Sequence, residues 1–347
     1  MTDIALISLA TTPGLVRSDA AFAQLIRDCG VGCEVVPVRI GPSGKLRRHP
    51  AATDLVEAIA ARRTARRATK DVRAVVYSTT TAALLQHTDK PYAVRFDATA
   101  GLNRPAGLPS AWQRARERRV LKDARLLLPV SESATAKLPD PHAPVVRLPI
   151  PVDDVPSAAE RDITATAYAG YPKKRGLEQI AMAWMDACPP GGMLVVGGLD
   201  HEKADRWYTR VDLREPKQTE YTGMIPRDEW LANVARSKVF VNGSWWEDYG
   251  IAQFEALAAG TPVATVPSRG SYEALPLIRQ LDPELVTDEI DSGQLAEAIE
   301  KALAYDDARR ADYAARAQRL LEPYRADSLR DTVRDKVLPV LLDEAPR

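Results

Sequence analysis

Short aliphatic runs recur along this chain, each followed by a stretch whose apolar positions fall three and four residues apart. In the first half the runs lie at 4–9 (IALISL), 34–38, 74–77 (AVVY), 93–96 and 126–130, and each predicts a strand. A helix is predicted at 19–28, stopped by Gly30. A second is predicted from Thr53 as N-cap, after a Gly-, Pro- and Arg-rich loop at 41–50. It carries Asp54 and Glu57 early and Arg62, Arg63, Arg66, Arg67 and Lys70 late, the order that suits a helix dipole. In the second half strands are predicted at 164–168, 193–196, 218–222, 238–241 and 262–266. Apolar runs alternating with helical stretches point to an α/β architecture, with parallel sheets covered on both faces. Sheets of that kind bind ligands beyond the carboxyl ends of their strands. Residues 148–162 hold three prolines and four acids, so the connection between two domains is predicted there. The domains expected are 1–150 and 160–322, followed after Pro323 by a helix at 326–342.

One stretch concentrates the candidate chemistry. Residues 243–262 read GSWWEDYGIAQFEALAAGTP, leading from the 238–241 strand through a polar loop into a short apolar helix. Glu247 lies in the loop and Glu255 in the helix. If the helix starts near Gly250, then Ile251, Glu255 and Ala259 share one face. Glu255 is then an ionisable group on an apolar face, and a buried carboxylate is costly unless something donates to it.

Length and composition narrow the setting. The chain has 347 residues, enough for two domains with their own cores; 45% are hydrophobic and 27% charged, as in soluble globular proteins. Nothing approaches eighteen uninterrupted apolar residues, so no transmembrane segment is expected. The first residues lack a basic lead and read as a strand, not a signal peptide. Cys29, Cys33 and Cys188 form no even pairing, which suits a reducing cytoplasm, and the four histidines have no zinc spacing. The net charge of zero conceals two unlike halves. Residues 1–150 hold 23 Lys and Arg against 13 Asp and Glu, and the remainder 24 against 34. A basic half predicts an anionic partner.

The run 244–263 fits S-x-x-E-(G/D)-aromatic-G-(I/L)-x-x-x-E-A-x-A-x-G-x-P-V. It resembles the donor-site signature of glycosyltransferase family 4, the retaining glycosyl transferases of group 1 with the GT-B fold. That resemblance implies two doubly wound, Rossmann-like domains facing across a cleft. The first (1–150) would bind the acceptor, with the C-terminal helix (326–347) packing back on it, and the second (160–322) would bind a UDP- or GDP-sugar. It further implies that no metal or other cofactor is needed. Glu255 would accept from the ribose hydroxyls, and Glu247 would act at the donor sugar and its anomeric carbon. Asp248, Tyr249, Gly250 and Ile251 would line the sugar and phosphates.

The run Gly170-Tyr171-Pro172-Lys173-Lys174-Arg175-Gly176 looks like the family's diphosphate loop, with Tyr171 where an arginine is usual. The phosphate contacts stay open among Lys173, Lys174 and Arg175, with a helix N-terminus adding positive potential. Gly223 and Met224 would frame the base. In the first domain Asp97 stands where the family often has a histidine, and it is the second catalytic candidate. Pro13 and Gly14 fall where a glycine-rich loop would meet phosphate and acceptor.

The basic stretches 45–70 and 104–125 (with Trp112) have three readings: a solvated face, a surface for anionic lipid on a peripherally membrane-bound enzyme, or a track for DNA. A membrane lipid or glycan is the preferred acceptor and DNA the other. A nucleotide-sugar epimerase of this fold and a non-catalytic nucleotide-sugar-binding protein are the alternatives.

Overall fold

The computed structural model describes residues 2–40, 50–103, 111–138, 141–156, 158 and 160–342. The loop expected at 41–50 falls outside them except for Pro50, as do Lys45 and Arg104 of the basic stretches. The chain divides into two compact units, Met1–Pro151 with Pro323–Arg347, and Val152–Glu322.

The first unit is built on β1 (Ile4–Ser8), β2 (Cys33–Pro37), β3 (Ala74–Tyr77), β4 (Tyr92–Phe96) and β5 (Leu126–Pro129). They form a parallel sheet in the order β2-β1-β3-β4-β5, with Ile4 in register with both Cys33 and Ala74. Strand side chains alternate in direction, and both directions are buried here. Ile4, Leu6, Val76 and Leu128 enter one core layer with Phe22 and Ile26 of the helix Pro13–Asp28. Ala5, Ile7, Val75 and Leu127 enter the other with Ala61, Ala65 and Val120. That double burial is why β1, β3 and β5 are nearly continuous apolar runs, whereas the edge strand β2 is only half-buried and carries Glu34. The C-terminal segments Ala326–Thr332, Val333–Val337 and Leu338–Leu342 join the first layer through Leu329, Val333, Val337 and Leu341.

Two helix starts differ from expectation. The first helix begins at Pro13, not near Asp19. Thr12 is extended, and its hydroxyl accepts from the Leu15 N–H at 3.2 Å, while Pro13 takes the first helical position. Thr-Pro is thus a cap and an N1 residue, so Pro13 and Gly14 form a first turn and not a loop. The helix Pro50–Ala68 already contains Thr53, which therefore does not cap it. On it Arg63, Arg66 and Arg67 are exposed and Arg62 half-buried. Asp19 and Arg95 form a buried pair at 3.3 Å, with Arg95 also donating to Ser18 at 2.7 Å. Burial pushes the Asp19 carboxyl above the usual carboxylate range, against the pull of Arg95.

The second unit has β6 (Ile163–Tyr168), β7 (Leu194–Gly197), β8 (Thr219–Gly223), β9 (Ser237–Asn242) and β10 (Val263–Thr265). They are parallel, in the order β10-β9-β6-β7-β8. From β6 the chain steps outward through β7 and β8, then crosses to the other side of β6 for β9 and β10. The winding reverses between β6 and β9, and a crevice at their carboxyl ends follows from that reversal. Arg161, just before β6, fixes the other end of the unit. Its guanidinium donates to Ala235 O at 2.8 Å, Thr261 Oγ1 at 2.7 Å and Ala259 O at 3.0 Å.

Candidate active site

The loops after β6 and β9 meet at the switch point, and glycine permits it. Gly176 has φ +63°, and a Cβ there would lie 1.8 Å from the carbonyl oxygen of Gly243. Neither the backbone angle nor the contact admits a larger residue. Pro172–Arg175 forms one helical turn before Gly176, so the three cations expected to lead into a helix sit on a turn of their own. The helix Leu177–Ala187 then follows. The second loop is tied to that turn, since Trp245 N donates to Lys174 O at 3.0 Å.

The candidate acids are paired with these cations. Glu247 is 3% exposed, forms an ion pair with Arg175 and accepts from Gln253 Nε2 at 3.4 Å. Its backbone is held from both sides, with Glu247 N donating to Arg269 O at 2.8 Å and Tyr272 N to Glu247 O at 3.1 Å. Asp248 binds Lys174 Nζ at 2.7 Å and Trp246 Nε1 at 2.6 Å. The Arg175 guanidinium lies 5.8 Å from the centre of the Tyr168 ring, and its Nε is buried without a hydrogen-bond partner. Such an unmet donor calls for an explanation, and an oxygen-rich ligand would supply one. Lys173 is exposed, and with Lys174 it lines a groove beside this turn.

Glu255 lies on the helix Ile251–Ala258, which starts after Gly250. It is 6% exposed, and it accepts from Arg227 Nη1 at 2.9 Å and Trp230 Nε1 at 2.8 Å. The donors that a buried carboxylate requires are therefore supplied by the helix Arg227–Arg236. Arg227 also reaches Asp153 through Nη2, joining Glu255 to the start of the unit. Tyr249 is buried and stacks on Phe254 at 4.9 Å, and Ile251 is half-buried.

The path from these acids towards β8 has a backbone floor. A Cβ on Gly198 would meet Tyr168 at 2.6 Å and the Gly170 Cα at 3.1 Å. Gly198 N in turn donates to Gly223 O at 2.8 Å. Gly170, Gly198 and Gly223 thus line up across the ends of β6, β7 and β8, and Met224 beside them is 69% exposed. The arrangement offers cations and a carboxylate at one end, a second carboxylate on the neighbouring helix, and a flat backbone surface leading away.

The first-unit candidates lie in their own unit. Asp97 follows β4 and is exposed, and Pro13 and Gly14 open the helix after β1. Arg227, Trp230 and Gln253 were missed from the sequence. The signal available was the demand of Glu255 for donors, which an Arg and a Trp three apart on one helix face can meet.

Residues 157–319 match the sequence model of the family described as glycosyl transferases group 1. No curated protein sequence matches the chain. Its fold is similar to sucrose-phosphate synthase of Thermosynechococcus elongatus (16% identity, 96% of this chain and 97% of that one, TM-score 0.73). It is also similar to Anabaena HepE, solved with UDP and glucose (14%, 96% and 98%, TM-score 0.68). A third likeness is to a trehalose-6-phosphate protein of E. coli bound with UDP-2-fluoro glucose (11%, 100% and 100%, TM-score 0.70). The fold is that of the GT-B glycosyltransferases, with two parallel-sheet α/β units of five strands each. Among the described residues no helix is long and apolar enough to cross a membrane.

Proposed function

We propose that this chain, whose second unit carries a group 1 glycosyltransferase domain, moves a sugar with retention from a UDP- or GDP-sugar to an anionic acceptor. The observation that carries the reading is the set of paired groups at the β6/β9 switch point: Arg175 with Glu247, Lys174 with Asp248, and Glu255 with Arg227 and Trp230. The nucleotide ribose hydroxyls donate to Glu255, and the base runs out over Gly198 and Gly223 beside Met224. The diphosphate lies against Gly170 and the Lys174–Arg175 turn.

When the anomeric C–O bond breaks, its electron pair leaves with the diphosphate, whose growing charge those cations and nearby N–H groups stabilise without a metal. The acceptor hydroxyl attacks from the same face, and its proton passes to the departing phosphate oxygen. Glu247 stabilises positive charge at the anomeric carbon and orients the sugar hydroxyls, with Asp248, Tyr249, Gly250 and Ile251 forming the rest of that wall. Binding the donor means that phosphate oxygens replace or join Glu247 and Asp248 on Arg175 and Lys174.

The acceptor binds the basic first unit, through Asp97, Pro13 and Gly14 near its strand ends and the Arg62, Arg63, Arg66 and Arg67 face. A membrane lipid or glycan suits that face, on a cytoplasmic enzyme resting on the membrane surface, and DNA is the other anionic class. The test is to incubate the protein with UDP- and GDP-sugars and each acceptor class, reading the anomeric configuration of any product by NMR. A glycoside with the donor's configuration is expected. Epimerised donor without acceptor, or binding without turnover on any acceptor, would refute transfer.

A further inference from the structure

Beside the paired acids the second unit holds a groove of about 710 Å³ that shares Lys174 with the proposed donor contacts but extends past them to Trp207, Trp245 and Trp246. Tyr171, Lys173, Lys174, Trp207, Trp245 and Trp246 line it. Its size is within the roughly 300–1,000 Å³ of ligand sites, and aromatic walls with a few polar groups are their usual lining. Tyr171 is 54% exposed and Trp245 40%, so costly apolar surface is left towards solvent.

The main chain behind these walls is tied down: the backbone N–H of Trp245 donates to Lys174 O at 3.0 Å, and Arg269 N donates to the Trp245 carbonyl at 3.1 Å. Trp246 is fixed through Asp248 to Lys174. Trp207, on the helix His201–Val211, has Arg210 5.7 Å from its ring centre, yet its indole N–H is buried without a hydrogen-bond partner. Lys173 is exposed, with no ion-pair partner among the described residues.

We infer that this groove is a saccharide-binding site, taking a sugar ring against its indole and phenol faces and an acidic substituent at Lys173. The electron-rich faces of these rings attract the polarised C–H groups on the flat side of a pyranose. The Trp207 N–H needs an acceptor, which a sugar hydroxyl or ring oxygen supplies. Lys173 gives the site its charge preference. Nucleic acid bases also stack on aromatic rings, but single-stranded binding needs a cationic track along the backbone. Here the lining offers two cations, Lys173 and Lys174, side by side on one turn, which is no track along a backbone.

The test uses the full chain in calorimetric titrations with a glucuronate-bearing hexasaccharide, an uncharged hexasaccharide and a single-stranded oligonucleotide. The acidic saccharide is expected to bind at least tenfold more tightly than the uncharged one. Trp245→Ala and Trp207→Phe, the latter keeping a ring but losing the N–H, are expected to weaken it at least fivefold, with unfolding temperatures within a degree or two of the parent. Lys173→Gln is expected to erase the preference for the acidic form. No saccharide binding, equal binding of charged and uncharged forms, tighter oligonucleotide binding, or wild-type affinity in folded Trp245→Ala would each overturn the inference.

Discussion

Glu255→Gln keeps the shape of the side chain and removes its charge. In the parent, Glu255 accepts from Arg227 at 2.9 Å and Trp230 at 2.8 Å, and on the proposed reading also from the two ribose hydroxyls. A glutamine turns its NH2 towards one of those donors and offers a neutral carbonyl to the other. Hydrogen bonds to a charged group contribute about 1.5–3 kcal/mol against about 1 for neutral ones. Two ribose bonds therefore lose about 1–4 kcal/mol of affinity between them, or roughly fivefold to several hundredfold in Kd. The assay is calorimetric titration of parent and variant with UDP and GDP, with thermal unfolding of each measured alongside. The same exchange also weakens the bonds to Arg227 and Trp230, so a modest drop in Tm is expected. Parent-like affinity for both nucleotides in a folded variant would refute the ribose role of Glu255.

Other consequences follow from neighbouring contacts. Arg227→Met removes one donor from Glu255 and cuts the link to Asp153; nucleotide Kd should rise about tenfold, as expected for a charge-assisted bond of about 1.5 kcal/mol, and an unchanged Kd would show that Arg227 does not position the acid. Gly176→Ala should cost more than about 1 kcal/mol for the left-handed backbone alone, with the collision on Gly243 O added, so a Tm equal to the parent's would contradict the loop contact. For Asp282, burial raises the pKa, but hydrogen bonds from Tyr305 and Arg309 outweigh it and hold the carboxyl below its usual range. Its contribution is present above the unfolded value of about 4 and lost as pH falls through the folded value. Asp282→Asn should therefore unfold more easily at pH 7, by about 1.5–3 kcal/mol, with the gap narrowing below about pH 4; a gap independent of pH would contradict this.

The edge strands β2 and β8 are only half-buried and carry Glu34 and Glu220, but the inner strands were legible because burial on both faces leaves near-continuous apolar runs. Their order was not, since register and winding depend on contacts between distant segments, such as Ile4 with Ala74 and Ala165 with Val239. The helix at Pro13 was misread because weight fell on its later apolar and acidic positions, while the cap lay in a Thr-Pro pair that looked like loop. At the candidate site, the burial of Glu255 could be argued from spacing, while Glu247 was placed only in a polar loop. Their partners could not. Arg175 lies 72 positions from Glu247 and Arg227 lies 28 from Glu255, and only the meeting of the β6 and β9 loops and the packing of two helices bring them together. The aromatic groove was invisible for the same reason, since Trp207 comes from a helix between β7 and β8 while Trp245 follows β9.

The central claim is that the switch point of the second unit grips a sugar nucleotide. The most direct measurement is a diffraction structure of crystals soaked with UDP-glucose and, separately, a GDP-sugar. Density is predicted with both ribose hydroxyls within about 3 Å of the Glu255 carboxylate and phosphate oxygens on Arg175 and Lys174. A nucleotide seated elsewhere on the unit, with Glu255 still holding only protein donors, would contradict the account.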